Sequence, residues 1–176
     1  MALNPLRRLL GLRQSSIRGS IMASTGQPLP YSWILTNQLA IGPRPLNSSQ
    51  WQQLEEAGLR GRFSCCYQEE EAALPLPHQG WRSARVSLPD HRQQESLRIE
   101  RLVEALTTAE QLMDQGFPIY LHCLAGIERS PLVAVGLTAR RRQIDIYAAL
   151  DWVRRCHPAA LPIYGHLELL EAILRS

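Results

Sequence analysis

His122-Cys123-Leu124-Ala125-Gly126-Ile127-Glu128-Arg129-Ser130 is the stretch that decides how this 176-residue chain folds and what it can do. Ahead of it, Pro118 to His122 is a short apolar run that predicts a strand. Behind it, Ser130-Pro131 opens a run that predicts a helix, with proline at an early position where its missing donor is not needed. A loop in that place presents consecutive backbone N–H groups at a helix N-terminus, where the dipole also favours an anion. Gly126 lets the backbone curl close to such an anion. Arg129, six residues after Cys123, can return across the loop and hold two phosphate oxygens in a bidentate fork. The thiolate is the reactive form of a cysteine, and a helix N-terminus beside a cation favours it. The stretch therefore predicts Cys123 as a nucleophile under a phosphate cradled by the amides of Leu124, Ala125, Gly126, Ile127, Glu128 and Arg129. His122, beside the thiol, can lock the loop by bonding to backbone. The Ser130 hydroxyl can donate to the sulfur and make it a better leaving group.

Working outward, strands and helices alternate. Tyr31–Leu35 and Gln38–Ile41 read as two short strands around Asn37. Asn47 or Ser48 caps a helix ending at Gly58. Arg62–Tyr67 is rich in strand formers, and Arg82–Leu88 alternates as a strand does. Leu97, Leu102, Val103, Leu106, Ala109, Leu112 and Met113 recur at helical spacing and predict a helix over Gln93–Gln115, closed by Gly116. Beyond the central stretch come three helices: one from Ser130-Pro131, one from Asp145 to Cys156, and one after Pro162. Such alternation predicts an α/β fold, a mainly parallel central sheet of about five strands flanked by helices.

Composition sets limits. The net charge of +3 is uneven: residues 1–50 hold five arginines and no acid, and residues 51–176 hold fourteen arginines against all sixteen carboxylates. The body is nearly neutral, so nucleic-acid binding through a basic face is not expected. Every cation is arginine, which excludes lysine chemistry. Cys65, Cys66, Cys123 and Cys156 lack the paired spacing of a zinc site, and no metal or other cofactor is expected. No apolar run approaches the roughly 18 residues of a membrane span. Residues 1–30, with Arg7, Arg8, Arg13 and Arg18 among Leu, Ser and Gly, read as a disordered tail preceding one domain over 31–176. A surface-binding amphipathic segment, an organelle transit peptide and a start misassigned upstream of Met22 are the alternatives. A cytoplasmic location is expected, or an organelle if the tail is a transit signal.

The pattern His-Cys-x-x-Gly-x-x-Arg-Ser resembles the Cys-x5-Arg signature of the protein tyrosine phosphatase superfamily, in the wording of its dual-specificity branch. Trp33-Ile34 with Leu39-Ala40-Ile41-Gly42 and Arg44-Pro45 is similar to the opening strands of that branch. Ala148-Ala149-Leu150 through Arg154, with Pro158 and Pro162, resembles its closing helices. The likeness spans roughly residues 31–175. It implies a phosphatase acting through a phosphocysteine intermediate without a cofactor, and an Asp general acid on a loop before the long helix. Leu88-Pro89-Asp90 fills that place, 33 residues ahead of Cys123. A leaving alkoxide or phenoxide needs such a proton donor. His91 and Glu95 are the fallback acids.

Leu124, Ala125, Ile127 and Glu128, the variable loop positions, include no cation, whereas relatives acting on highly phosphorylated inositol lipids carry basic residues there. This favours a singly phosphorylated substrate, a phosphoprotein (Tyr and/or Ser/Thr) or a small phosphate monoester. Some relatives trap the catalytic cysteine with a neighbouring one, and Cys65 and Cys66 are candidates beside a core role. Glu69, Glu70 and Glu71 read as a solvated face or short helix, and His157 and His166 as structural or surface residues. Two competing functions stay open: a non-catalytic phosphate-binding module, and sulfur transfer by a rhodanese-like domain.

Overall fold

The computed structural model describes residues 26–175. Five strands, β1 (Ser32–Leu35), β2 (Leu39–Pro43), β3 (Gly61–Ser64), β4 (Arg82–Arg85) and β5 (Ile119–Cys123), form one sheet in the order β1-β2-β5-β3-β4. Only the β1–β2 pair is antiparallel; β2–β5, β5–β3 and β3–β4 run parallel. The expectation of a mainly parallel α/β sheet is met. Strand β5 sits at the centre and is buried along its length, as an unbroken apolar run in a parallel sheet must be. Its residues alternate in destination. Ile119, Leu121 and Cys123 join the large core, and Tyr120 packs in a second cluster with Ala40, Trp51 and Leu54.

The helices α1 (Ser48–Glu56), α2 (Ile99–Met113), α3 (Arg129–Arg142), α4 (Ile146–Cys156) and α5 (Tyr164–Arg175) divide between the two faces. Among the described residues, α1 is the helix on the Tyr120 side, capped by Asn47, whose side chain accepts from the Gln50 amide at 3.0 Å. The other four cover the Cys123 side. There α3 is buried without interruption from Arg129 to Ala139, with α2, α4 and α5 packed around it. Asp145 caps α4 as its sequence suggested, accepting from the Tyr147 and Ala148 amides.

Boundaries shift where side-chain bonds override the periodic pattern. The helix expected from Gln93 begins at Ile99, because Gln93 is used in a turn: its amide donates to the Asp90 carbonyl and its side chain accepts from the Asp90 amide. The strand expected over Arg82–Leu88 ends at Arg85, although the Val86 and Leu88 amides still donate to Ser64 and Cys65 carbonyls. Order begins before Tyr31. Leu29 is buried, and its amide and carbonyl both bond the Gln53 side chain, so this end of the expected tail belongs to the folded unit. The rest of that tail, residues 1–25, lies outside the described residues, as do its alternatives. No helix among the described residues is long and apolar enough to cross a membrane.

Candidate active site

Cys123 ends β5 and Arg129 begins α3, so the central stretch is the crossover from the middle strand to the buried helix. The Cys123 sulfur lies 3.3 Å from the Ser130 hydroxyl, which donates to it, and the residue is 2% exposed at the floor of a pocket of about 190 Å³. The pocket walls are Leu124, Ala125, Ile127, Glu128 and Arg129 on one side and Asp90, His91 and Arg92 on the other. Of the residues singled out in the sequence, Cys123, Leu124, Ala125, Ile127, Glu128, Arg129 and Asp90 line this pocket, with Asp90 brought across from the segment before α2; His122, expected to bond the loop backbone, does not.

The loop between Cys123 and Arg129 is held on three sides. Gly126 has φ +73°, and a Cβ there would stand 2.6 Å from the Gly42 carbonyl carbon and 2.8 Å from the Pro43 nitrogen. Glycine is required both by the left-handed backbone and by the approach to β2. The Gly126 carbonyl meets His157 Nε2 at 3.0 Å, and His157 Nδ1 meets Ser32 Oγ at 2.9 Å. The Ile127 carbonyl accepts from the Leu161 amide at 2.7 Å, and the Leu124 carbonyl from the Arg44 amide at 3.4 Å. Burial chiefly holds His157 below the ordinary histidine pKa, so its neutral ring joins loop, β1 and the end of α4.

Arg129 is fully enclosed. Its Nη1 donates to Glu70 Oε2 at 2.7 Å and to the carbonyls of Cys65 and Leu88; its Nη2 donates to Glu70 Oε1 at 3.0 Å and lies 3.0 Å from Asp90 Oδ2. Nε is buried with no partner among the described residues. Burial opposes the charge, yet the Glu70 bonds and the field of Cys123 outweigh it and raise the pKa further. Asp90 is likewise penalised by burial, but the bonds from Arg92 and the charge of Arg129 hold it below the usual carboxylate range. Glu128 does not face the floor as a bare charge. It accepts from the His91 amide at 3.2 Å, and its other oxygen meets His91 Nδ1 at 2.6 Å, which latches the Asp90 segment to the rim.

His122 faces away from the pocket. Its Nε2 meets Arg62 Nε at 3.2 Å and the ring stacks on Tyr120, while Nδ1 has no hydrogen-bond partner among the described residues. Burial, then the Arg62 charge, lowers its pKa to about 3, so it is a neutral wedge between sheet and α1. Beside it Glu71 bonds Arg62 at 2.6 Å, Ser64 at 2.9 Å and Arg85 at 2.7 Å. That buried anchor fixes the 3-10 turn Gln68–Glu70 and turns Glu70 toward Arg129.

Sequence reasoning therefore missed Glu70, Glu71 and Arg92; His157 is structural, as one of its two expected roles had it, but its contact with the loop was not foreseen. The glutamates do form a short helical turn, but Glu70 and Glu71 are not a solvated face, because arginines distant in sequence draw them inward. Burial pushes the Cys65 thiol up, and the Cys66 thiol to about 12. Two triads, Cys66–Glu71–His122 and Asp90–His91–Glu128, bring possible metal-ligand atoms within 4.8 Å of one another. Their carboxylates are already occupied by arginine or histidine.

No protein-family model matches the sequence, and no curated protein matches it either. Solved structures do match by fold. PTPMT1 in complex with PI(5)P is 17% identical, covering 82% of this chain and 94% of that one at a TM-score of 0.70. Human DUSP28 is 19% identical, covering 86% and 100% at 0.65. Human tyrosine phosphatase-like serine/threonine/tyrosine-interacting protein is 21% identical, covering 83% and 98% at 0.68. By fold, the chain is similar to solved structures of the protein tyrosine phosphatase type.

Proposed function

We propose that the protein is a cysteine-dependent phosphatase that hydrolyses phosphate monoesters through a phosphocysteine intermediate. The observation that carries this reading is that Cys123, its sulfur bonded by the Ser130 hydroxyl, and Arg129 line one pocket at the N-terminus of a buried helix. A buried arginine whose Nε lacks a partner among the described residues suits a phosphate oxygen. In the first step Sγ attacks phosphorus, the S–P bond forms, and the ester P–O bond breaks with its electron pair going to the leaving oxygen. Asp90 supplies the proton that oxygen needs. In the second, water loses a proton to Asp90 and attacks phosphorus. The S–P pair returns to sulfur, where Ser130 donates to the thiolate. Backbone amides of residues 124–129 take the charge on the equatorial oxygens.

Asp90 is held ionised before substrate arrives, which fits the acid role through linkage. A phosphate dianion takes Arg129 for itself and adds negative charge beside Asp90, and both effects raise the Asp90 pKa. The proton then arrives with the substrate. A singly phosphorylated substrate, most simply a phosphoprotein, suits the rim: Leu124, Ala125 and Ile127 carry no charge, and Glu128 disfavours a second phosphate.

The test is turnover. Wild type is expected to release a burst of phenol from an aryl phosphate, Cys123→Ser to lose turnover and keep phosphate binding, and Asp90→Asn to lose about 10²-fold or more on poor leaving groups. Normal turnover in the serine variant overturns the assignment. Phosphate binding by a wild type that never turns over would make the domain a binding module. Comparison of phosphotyrosyl and phosphoseryl peptides with inositol lipids tests the substrate class.

A further inference from the structure

Arg92 lies two residues beyond Asp90 and grips it from both sides. Asp90 Oδ1 accepts from the Arg92 amide at 2.9 Å and from Nε at 3.1 Å, and Oδ2 accepts from Nε at 3.2 Å and from Nη2 at 2.6 Å. The same Nη2 donates to Glu70 Oε1 at 2.8 Å. Asp90 Oδ2 and Glu70 Oε1 are therefore each shared by two guanidinium groups, those of Arg92 and Arg129. The ring Arg129–Glu70–Arg92–Asp90 joins the catalytic loop, the 3-10 turn and the segment bearing the acid. Its fixed point is Glu70, whose turn is tied through Glu71 to Arg62, Ser64 and Arg85 of the sheet.

We propose that Arg92 is a positioning residue of the reaction, holding the Asp90 carboxyl over Cys123 while bracing itself on Glu70. The inference rests on the phosphatase reading. Substrate must draw Arg129 away from Asp90, and Arg92 is then the cation that still fixes the acid. The double grip matters at that moment. With the proton on Oδ2, Oδ1 keeps the Arg92 amide and Nε as donors, so a protonated Asp90 stays oriented with its O–H free for the leaving oxygen. Arg92 does this from the surface, since its side chain is 43% exposed and contributes nothing to the core. Loss of the side chain is therefore compatible with a folded protein.

A residue acting through Asp90 has a distinctive kinetic mark. Arg92→Gln is expected to lower kcat on phenyl phosphate by about 10- to 100-fold, part of what a general acid supplies. KM should stay within about twofold, because Arg129 and the loop amides hold the phosphate. On 4-nitrophenyl phosphate, whose leaving group needs little protonation, the loss should shrink to about threefold or less. In an Asp90→Asn background Arg92→Gln should add nothing, the non-additivity expected of two residues in one contact. Arg92→Lys, one point charge without the fork, should fall between. Equal losses on both substrates, or a full further loss in the Asp90→Asn background, would make Arg92 merely structural and overturn the inference. An inactive wild type is a different failure: it overturns the phosphatase reading, and this inference with it.

Discussion

Gly126 answers two demands at one residue. Its φ of +73° lies where an L side chain is strained, and the Gly42 carbonyl carbon stands where a Cβ would go. Gly126→Ala is expected to cost about 1–3 kcal/mol of stability and, on the proposed phosphatase reading, at least about tenfold in turnover, because relief requires the loop between Cys123 and Arg129 to move off β2. Urea unfolding and steady-state kinetics check both, and an alanine variant with wild-type turnover would show that the loop tolerates a different course. The need for a glycine was legible because it is local: a short loop between a strand and a helix has few ways to curl. Glu70 was not legible for the opposite reason. Its partner Arg129 is 59 residues on and its partner Arg92 is 22 residues on. Three consecutive glutamates look solvated until the sheet shows which arginines surround them.

Helices were the most readable elements. The periodic apolar residues of α2 are buried except Val103, the run of α3 is buried from Arg129 to Ala139, and the cap residues Asn47 and Asp145 act as their types suggest. What the periodicity could not show is how an element's end is used. His157 follows α4 and fits no motif, yet its two nitrogens connect the Gly126 carbonyl to Ser32. Replacing it leaves the buried Gly126 carbonyl, in the middle of the loop between Cys123 and Arg129, without its donor. His157→Leu should weaken phosphate or vanadate binding by about tenfold, near 1.4 kcal/mol. Calorimetric titration gives the affinity directly. A variant that loses only thermal stability, with binding intact, would confine His157 to holding α4 against β1.

At the scale of the whole molecule, the two faces of the sheet have different chemistry, and the difference sets how the fold responds to acid. The Cys123 face is a continuous apolar core, while the face under α1 encloses Arg62, Glu71, Ser64 and His122 in one bonded group. His122 has its pKa lowered from 6.5 to about 3 in the folded protein, mainly by burial. Unfolding below pH 6.5 therefore takes up a proton that the folded state refuses, and stability falls as pH drops from 6.5 toward 3, by up to about 1.4 kcal/mol per pH unit for this one group. The carboxylates Glu70, Glu71 and Asp90 have lowered pKa values, so they stabilise above the ordinary carboxylate range and add their loss only at more acid pH. Between pH 6.5 and 5 histidine alone should govern the slope, with His157 and His166, both lowered chiefly by burial, contributing beside His122. Urea unfolding at several pH values in that window should give a flatter line for His122→Gln, by up to one proton's worth, whatever the substitution does to stability at neutral pH. An unchanged slope would mean that His122 is charged in the folded protein, with Glu71 as its counterion, and the buried group would then be an ion network built around a histidinium.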